Sequence, residues 1–168
     1  MGMPRRVLVD TNVIIEAVRT GCWRAITGQL EIETVEACAS EALAGSHSHI
    51  RGYVTVTRDE LSRLQVVHAV TPAAQAAFKL TYGDADSLDQ GEHDLLAFAH
   101  VGSSEERAIC SPDKAAIRAA VAVGLGDRVG SLEEMVTSVG ARPSPPLRER
   151  FTSRWLVSFR SKVKLEGL

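Results

Sequence analysis

The segment Arg6-Val7-Leu8-Val9-Asp10-Thr11-Asn12-Val13-Ile14 sets the reading of this chain. The run Val7-Leu8-Val9 is short, apolar and continuous, the kind of strand that is buried on both faces of a parallel sheet. A carboxylate ends it at Asp10, and a helix is expected from residue 12 to about residue 20. In open α/β sheets, ligands bind outside the carboxyl ends of the strands. Asp10 is therefore a functional candidate as well as a natural helix cap.

Working outward, strands and helices alternate. Residues 30–34 alternate apolar and polar and predict a second strand. Residues 35–44 predict a helix that Gly45 would close. Residues 46–56 predict a loop with an extended piece at 53–56, residues 59–64 a helical turn, and residues 65–70 a strand. Thr71-Pro72 has the form of an N-cap followed by Pro at the first helical position, with the helix running to about residue 82. A polar loop at 83–88 leads to Asp89-Gln90-Gly91-Glu92, which has capping-box spacing and opens a helix to about residue 100. Ala108-Ile109-Cys110 predicts the next strand, residues 114–123 a helix, and Arg128-Val129 a short strand. Ser131-x-x-Glu134 opens a last helix to about residue 139. The pattern is that of an α/β domain with a parallel sheet spanning residues 1–140. Residues 141–168 form a separate tail: a break at Pro143-Ser144-Pro145-Pro146, then Leu147, Phe151, Trp155, Phe159 and Val163 every four residues, the apolar face of an otherwise basic helix.

Bulk properties narrow the function classes. The 168 residues suit one domain. No run of about 18 apolar residues suggests a membrane span, and the apolar start is too short for a signal peptide, so a cytoplasmic protein is expected. Cys22, Cys38 and Cys110 are sparse and odd in number, which gives neither a disulfide framework nor zinc spacing; they read as small buried hydrophobes. The net charge of −2 hides an asymmetry: residues 1–140 carry −7 and residues 141–168 carry +5. An acidic body with a basic tail fits a metal-binding nuclease whose tail meets a phosphate backbone, and equally an ordinary solvated helix.

Four acids occupy poor places for an unpaired charge. Asp10 and Asp113 each follow a strand. Glu41 is expected on the apolar side of its helix with Ala37, Cys38 and Ala44, and Glu36 on the wet side. Asp94 has Ala97, Phe98 and Val101 as its helical neighbours. Glu92 is ambiguous, because the capping box accounts for it without chemistry. A buried ionised acid needs a partner, and a hard divalent cation takes oxygen ligands. A carboxylate cluster at the carboxyl edge of a sheet is the protein half of a metal-assisted hydrolysis site. Thr11, Asn12 and Ser111 are candidates for orienting carboxylates and waters, and Lys114 and Arg118 for contacting a phosphate.

Val7-Leu8-Val9-Asp10-Thr11-Asn12 resembles the opening motif of the PIN-domain family. Ser40-Glu41-Ala-Leu-Ala-Gly45 resembles its second acid motif, Gly91-Glu92-His-Asp94-Leu-Leu-Ala97 its third, and Ser111-Pro-Asp113 its fourth, with Ser where Thr is commoner. The order and spacing hold over about residues 5–140. The resemblance implies a three-layer α/β/α sandwich and a nuclease dependent on Mg²⁺ or Mn²⁺. It further implies RNA as substrate, with Asp10, Glu41, Asp94 and Asp113, and Glu92 with them, around the metal. Many family members resemble VapC-type toxins, with a small antitoxin partner and often a homodimer. A PIN-like binding module without catalysis is the nearest rival. A phosphotransferase of the haloacid-dehalogenase kind would need an Asp where Asn12 stands. A nucleotide-binding Rossmann-like domain would need a glycine-rich phosphate loop that the chain lacks.

Overall fold

The computed structural model describes residues 2–44, 54–102 and 104–167. Its strands are β1 (Arg6–Val9), β2 (Glu31–Val35), β3 (Val66–His68), β4 (Ala108–Cys110) and β5 (Val129–Gly130). They form one sheet in the order β3-β2-β1-β4-β5, with every neighbouring pair parallel. The helices among the described residues are α1 (Thr11–Arg19), α2 (Trp23–Gln29), α3 (Glu36–Leu43), α4 (Arg58–Leu61), α5 (Pro72–Thr81), α6 (Gln90–Val101), α7 (Lys114–Ala122), α8 (Leu132–Ser138) and α9 (Ser153–Leu165).

Side chains alternate across a strand, and β1 shows the consequence. Val7 and Val9 face a core built with Ile14 of α1, Ile26 of α2 and Met135 of α8. Leu8 faces the other core, with Phe78 of α5, Leu95 of α6, Ile117 of α7 and Phe159 of α9. The result is the three-layer α/β/α sandwich expected from the alternation of strand and helix. The chain builds outward from β1 to β3 on one side, then crosses back to lay down β4 and β5 on the other. That reversal puts a crevice at the carboxyl ends of β1 and β4.

Local chemistry explains the helix starts. Asp89, Ser131 and Thr57 each close a capping box, with Glu92, Glu134 and Glu60 as the third residues. Thr71 caps α5 ahead of Pro72. Three expectations need correction. The helix α2 was not foreseen: Gly28 reads as a break in sequence, yet buried Trp23 and Ile26 anchor this segment on α8 and β2. Residues 54–56 form no strand. The tail helix begins only at Ser153, so Leu147 and Phe151 precede it; Phe151 lies in a short 3₁₀ turn. Gly45, Tyr53 and His47-x-His49, a histidine pair without the further ligands a metal site needs in the sequence, lie outside the described residues.

The tail is bound into the body. Glu16 of α1, fully buried, accepts from Arg19 Nε at 2.7 Å, from the Arg148 backbone N–H at 2.7 Å and from Arg148 Nη1 at 3.2 Å. Phe151 enters the α1/α8 core, while Leu156, Phe159 and Val163 enter the α6/α7 core. Each such side chain stabilises the fold by about 1.5–3 kcal/mol, as an upper figure. No helix among the described residues is long and apolar enough to cross a membrane.

Candidate functional site

Asp10 leaves β1 at the crevice and is only 3 % exposed. Its Oδ1 accepts from the backbone N–H groups of Asn12 (2.7 Å) and Val13 (3.3 Å), so it caps α1. Its Oδ2 accepts from Ser111 Oγ at 2.6 Å. Ser111 in turn accepts from the Asp113 backbone N–H at 3.2 Å, which ties the end of β4 to the end of β1. Asp113 caps α7 through Ala115 and Ala116. In a dinucleotide fold the first-turn amides of such helices would hold phosphate. Here aspartates occupy them, and their carboxylates add negative charge to the crevice.

Of the two acids in this segment, Glu92 and not Asp94 lies among the charges of Asp113, Asp89 and Asp10. Residues two apart on a helix do not share a face, and the two side chains go to different places. Burial raises the Glu92 carboxyl to about 8, with the charges of Asp113, Asp89 and then Asp10 adding to the effect. Glu92 therefore faces the other acids. Asp94 is buried as its apolar neighbours suggested, but its Oδ1 accepts from Gln75 Nε2 of α5 (2.9 Å) and Gln90 Nε2 (2.8 Å), with His93 Nδ1 at 3.4 Å. Asp94 is thus buried toward α5, on the side away from the other acids.

Glu41 needs a second correction. It is exposed, since Cys38 and Ala42 are the residues that α3 buries. Its Oε2 nevertheless accepts from Thr11 Oγ1 at 2.8 Å, and its carboxylate lies against Gly91, where an added Cβ would sit 2.8 Å from Oε2. Glycine at that position lets α3 and the start of α6 approach. Thr11 thus orients Glu41, and Ser111 orients Asp10. The Asn12 side chain is exposed, and only its backbone takes part in the site.

The electrostatics are lopsided. Burial pushes the Asp10 carboxyl up to about 6, against the lowering effect of its hydrogen bonds with Ser111, Asn12 and Val13. Among the described residues no ion pair reaches Asp10, Glu41, Asp89, Glu92 or Asp113. The nearby cations are turned to aromatic faces: Lys114 Nζ lies 5.7 Å and Arg118 Cζ 5.2 Å from the Phe159 ring centroid, and Phe159 stacks on Trp155 at 5.3 Å. Among the described residues no three His, Cys, Asp or Glu side chains close into a ready metal-binding group. Mg²⁺ does not require one, because it binds through one or two carboxylates and keeps several waters. The donor chemistry fits a hard divalent cation: all-oxygen ligands, Asp10 buried and Glu92 and Asp113 half-buried, without a counter-charge among the described residues.

The cysteines take no part, as all three are free and buried. Compared with known proteins, the chain matches no family model, no curated protein and no solved structure.

Proposed function

We propose that this chain is a Mg²⁺- or Mn²⁺-dependent endoribonuclease of PIN type. The observation that carries the reading is the group of acids at the crevice, Asp10, Glu92 and Asp113 with Glu41 beside them, which no ion pair among the described residues compensates. Asp10 and Asp113 are held at strand ends by backbone amides and Ser111, so the site is ordered before anything binds. Glu92 and Glu41 come from α6 and α3 and close the opposite wall. A bound divalent cation would lower the pKa of its water and offset charge on a phosphodiester. Lys114 and Arg118, next to Asp113, supply a basic wall for the RNA backbone. By resemblance, the proposal extends to a toxin with a small antitoxin partner and to a homodimer.

The test is cleavage of a mixed single-stranded and hairpin RNA pool with Mg²⁺, with Mn²⁺ and with EDTA, beside Asp10→Asn, Glu92→Gln and Asp94→Asn. Metal-dependent cutting lost in Asp10→Asn and Glu92→Gln supports both the activity and the assignment of Glu92. Cutting that survives Glu92→Gln and fails only in Asp94→Asn would return the third acid to Asp94. A folded protein that binds RNA and cuts with neither metal would be the non-catalytic module.

A further inference from the structure

The face of α6 that turns away from the acids lines a second site. Between α5, the turn at residues 85–88 and the start of α6 lies a cleft of about 380 Å³, lined by Pro72, Gln75, Ala76, Leu88, Gln90 and His93. Lys79 and Asp86, paired at 3.2 Å, stand at its rim. The volume falls in the range of small-molecule sites, and the lining is mixed, with Pro72, Ala76 and Leu88 among a majority of polar surface.

The polar groups are ordered in a definite sense. An ionised carboxylate is an acceptor only. Asp94, buried behind the cleft, takes the amide N–H groups of both Gln75 and Gln90 on one oxygen. Both amides are thereby fixed with nitrogen toward Asp94, and their carbonyl oxygens are left as acceptors at the cleft. No hydrogen bond among the described residues uses either carbonyl. His93 adds a polar atom without a partner: its ring packs edge-on against Phe78, and Nε2 is buried and unbonded. Buried polar atoms are normally paired, and an exception calls for an explanation.

We infer that this cleft is a nucleobase pocket, and that its fixed pair of glutamine carbonyls selects guanine. Pro72, Ala76 and Leu88 offer apolar surface for the face of a planar ring. Two amides turned the same way by one carboxylate, each with its carbonyl unbonded, suit an edge that carries more than one N–H donor. Guanine, with its ring N–H beside an exocyclic amine, offers more adjacent donors than any other base. The choice of a nucleobase as occupant rests on the ribonuclease reading: one turn of α6 presents Glu92 to the acids and His93 to the cleft, so a base held here would lie beside the scissile strand. Asp94 is then a positioning residue, acting through the two glutamines.

The experiment is a heteronuclear NMR titration of the full chain in EDTA with GMP, IMP, AMP, CMP and UMP. Phosphate is constant across the series, and metal is absent. The inference expects GMP to move the side-chain amide signals of Gln75 and Gln90 with at least about tenfold higher affinity than the others. IMP, which lacks the exocyclic amine, should fall among the weaker ligands. Asp94→Asn should remove the discrimination between GMP and AMP, because asparagine can donate and no longer fixes the amides; a merely structural role would weaken all ligands alike. Gln75→Ala, at a half-buried position, provides a second variant. A uridine-rich oligonucleotide carrying one guanine should bind more tightly than GMP; tighter binding of free GMP would overturn the RNA assignment. Signals unmoved by all five nucleotides, or moved equally by them, would overturn the pocket itself. A protein that binds guanine and does not cut RNA would retire the ribonuclease reading and leave the pocket standing. A metal-dependent ribonuclease with an unresponsive cleft would do the reverse.

Discussion

Glu33 and Glu92 are the same residue type, each drawn into the protein, and the chain treats them in opposite ways. Glu33, on β2, is 1 % exposed and meets Arg6 Nε at 3.0 Å, Arg107 at 3.3 Å and His68. Phe98 supports the arrangement by stacking on His68 and lying under Arg107. The Glu33 carboxyl sits below its ordinary pKa despite burial, because His68, Arg6 and Arg107 hold it charged. Glu92 has Asp113, Asp89 and Asp10 for neighbours and is pushed up to about 8. A buried acid held by two guanidiniums and an imidazole is a structural element. A half-buried acid with three acidic neighbours is a place for positive charge, a proton or a metal.

The sharpest way to break this contrast is to neutralise each acid in turn. Glu33→Gln takes from Arg107, itself 5 % exposed, its buried carboxylate and leaves it the half-exposed Glu105 at 3.1 Å. Breaking a buried pair from one side costs about 3–5 kcal/mol; the partial exposure of Arg6 puts the expectation near the lower figure, read as loss of unfolding free energy in urea. Glu92→Gln keeps the capping box, since Gln serves at that position as well as Glu, and removes like-charge repulsion. It should leave the metal-free protein as stable as the parent or more so, while RNA cleavage falls by more than about a hundredfold, beyond the usual effect of removing a group that only supports a metal ligand. Equal destabilisation by both substitutions would erase the distinction.

The two acids also predict opposite pH limbs. Glu33 has a depressed folded-state pKa, so its stabilisation is present at neutral pH and lost as pH falls through the acid range. Glu92 and Asp10 have raised values, about 8 and about 6, so the folded state holds protons that the unfolded chain has released. Where the native state binds more protons, stability falls as pH rises. For Asp10 that window runs from the ordinary aspartate value to about 6, and for Glu92 from the ordinary glutamate value to about 8. In EDTA, Tm should decline across this range, and Glu92→Gln should flatten the upper part. Saturating Mg²⁺ or Mn²⁺ should raise Tm most at the alkaline end, where the acids are bare; at a hundred times Kd the stabilisation is about 2.7 kcal/mol. A Tm that rises with pH in EDTA, or ignores both metals, would contradict the electrostatic account.

How far the sequence alone reached follows from the same physics. Asp10 and Asp113 were legible because a continuous apolar run fixes a strand, and the carboxyl end of a strand fixes a location. The layers were legible for the same reason. Which of Glu92 and Asp94 turns toward those two aspartates was not, because the two sit two apart on one helix, and apolar neighbours mark a buried side without saying which neighbour covers it. The discriminating signal was Gly91: a residue without a side chain beside Glu92 marks where another element, here α3 with Glu41, comes close. Glu41 was placed on an apolar face because Ala37 and Ala44 flank it, yet small alanines at a helix end need not be covered. The cleft beside α5 depends on Gln75 and Gln90, fifteen positions apart, meeting at one carboxylate, and no local pattern announces that.

The smallest expected effect tests whether close approach at Gly91 matters to the site or only to packing. An alanine methyl there would meet Glu41 Oε2 at 2.8 Å and Oε1 at 2.9 Å. Both atoms are the far end of a flexible, exposed side chain, so Glu41 can swing away without disturbing α6. In a helix, Ala is favoured over Gly by up to about 1 kcal/mol, and by less in the first turn, where Gly91 lies. Gly91→Ala should therefore raise stability by about half a kcal/mol while breaking the Thr11–Glu41 bond. If Glu41 belongs to the acid cluster, cleavage falls by about tenfold in a protein that has become more stable. Unchanged cleavage would mean that the working set is Asp10, Glu92 and Asp113, with Glu41 a bystander held by Thr11. The two results separate a four-acid site from a three-acid one without removing any carboxylate.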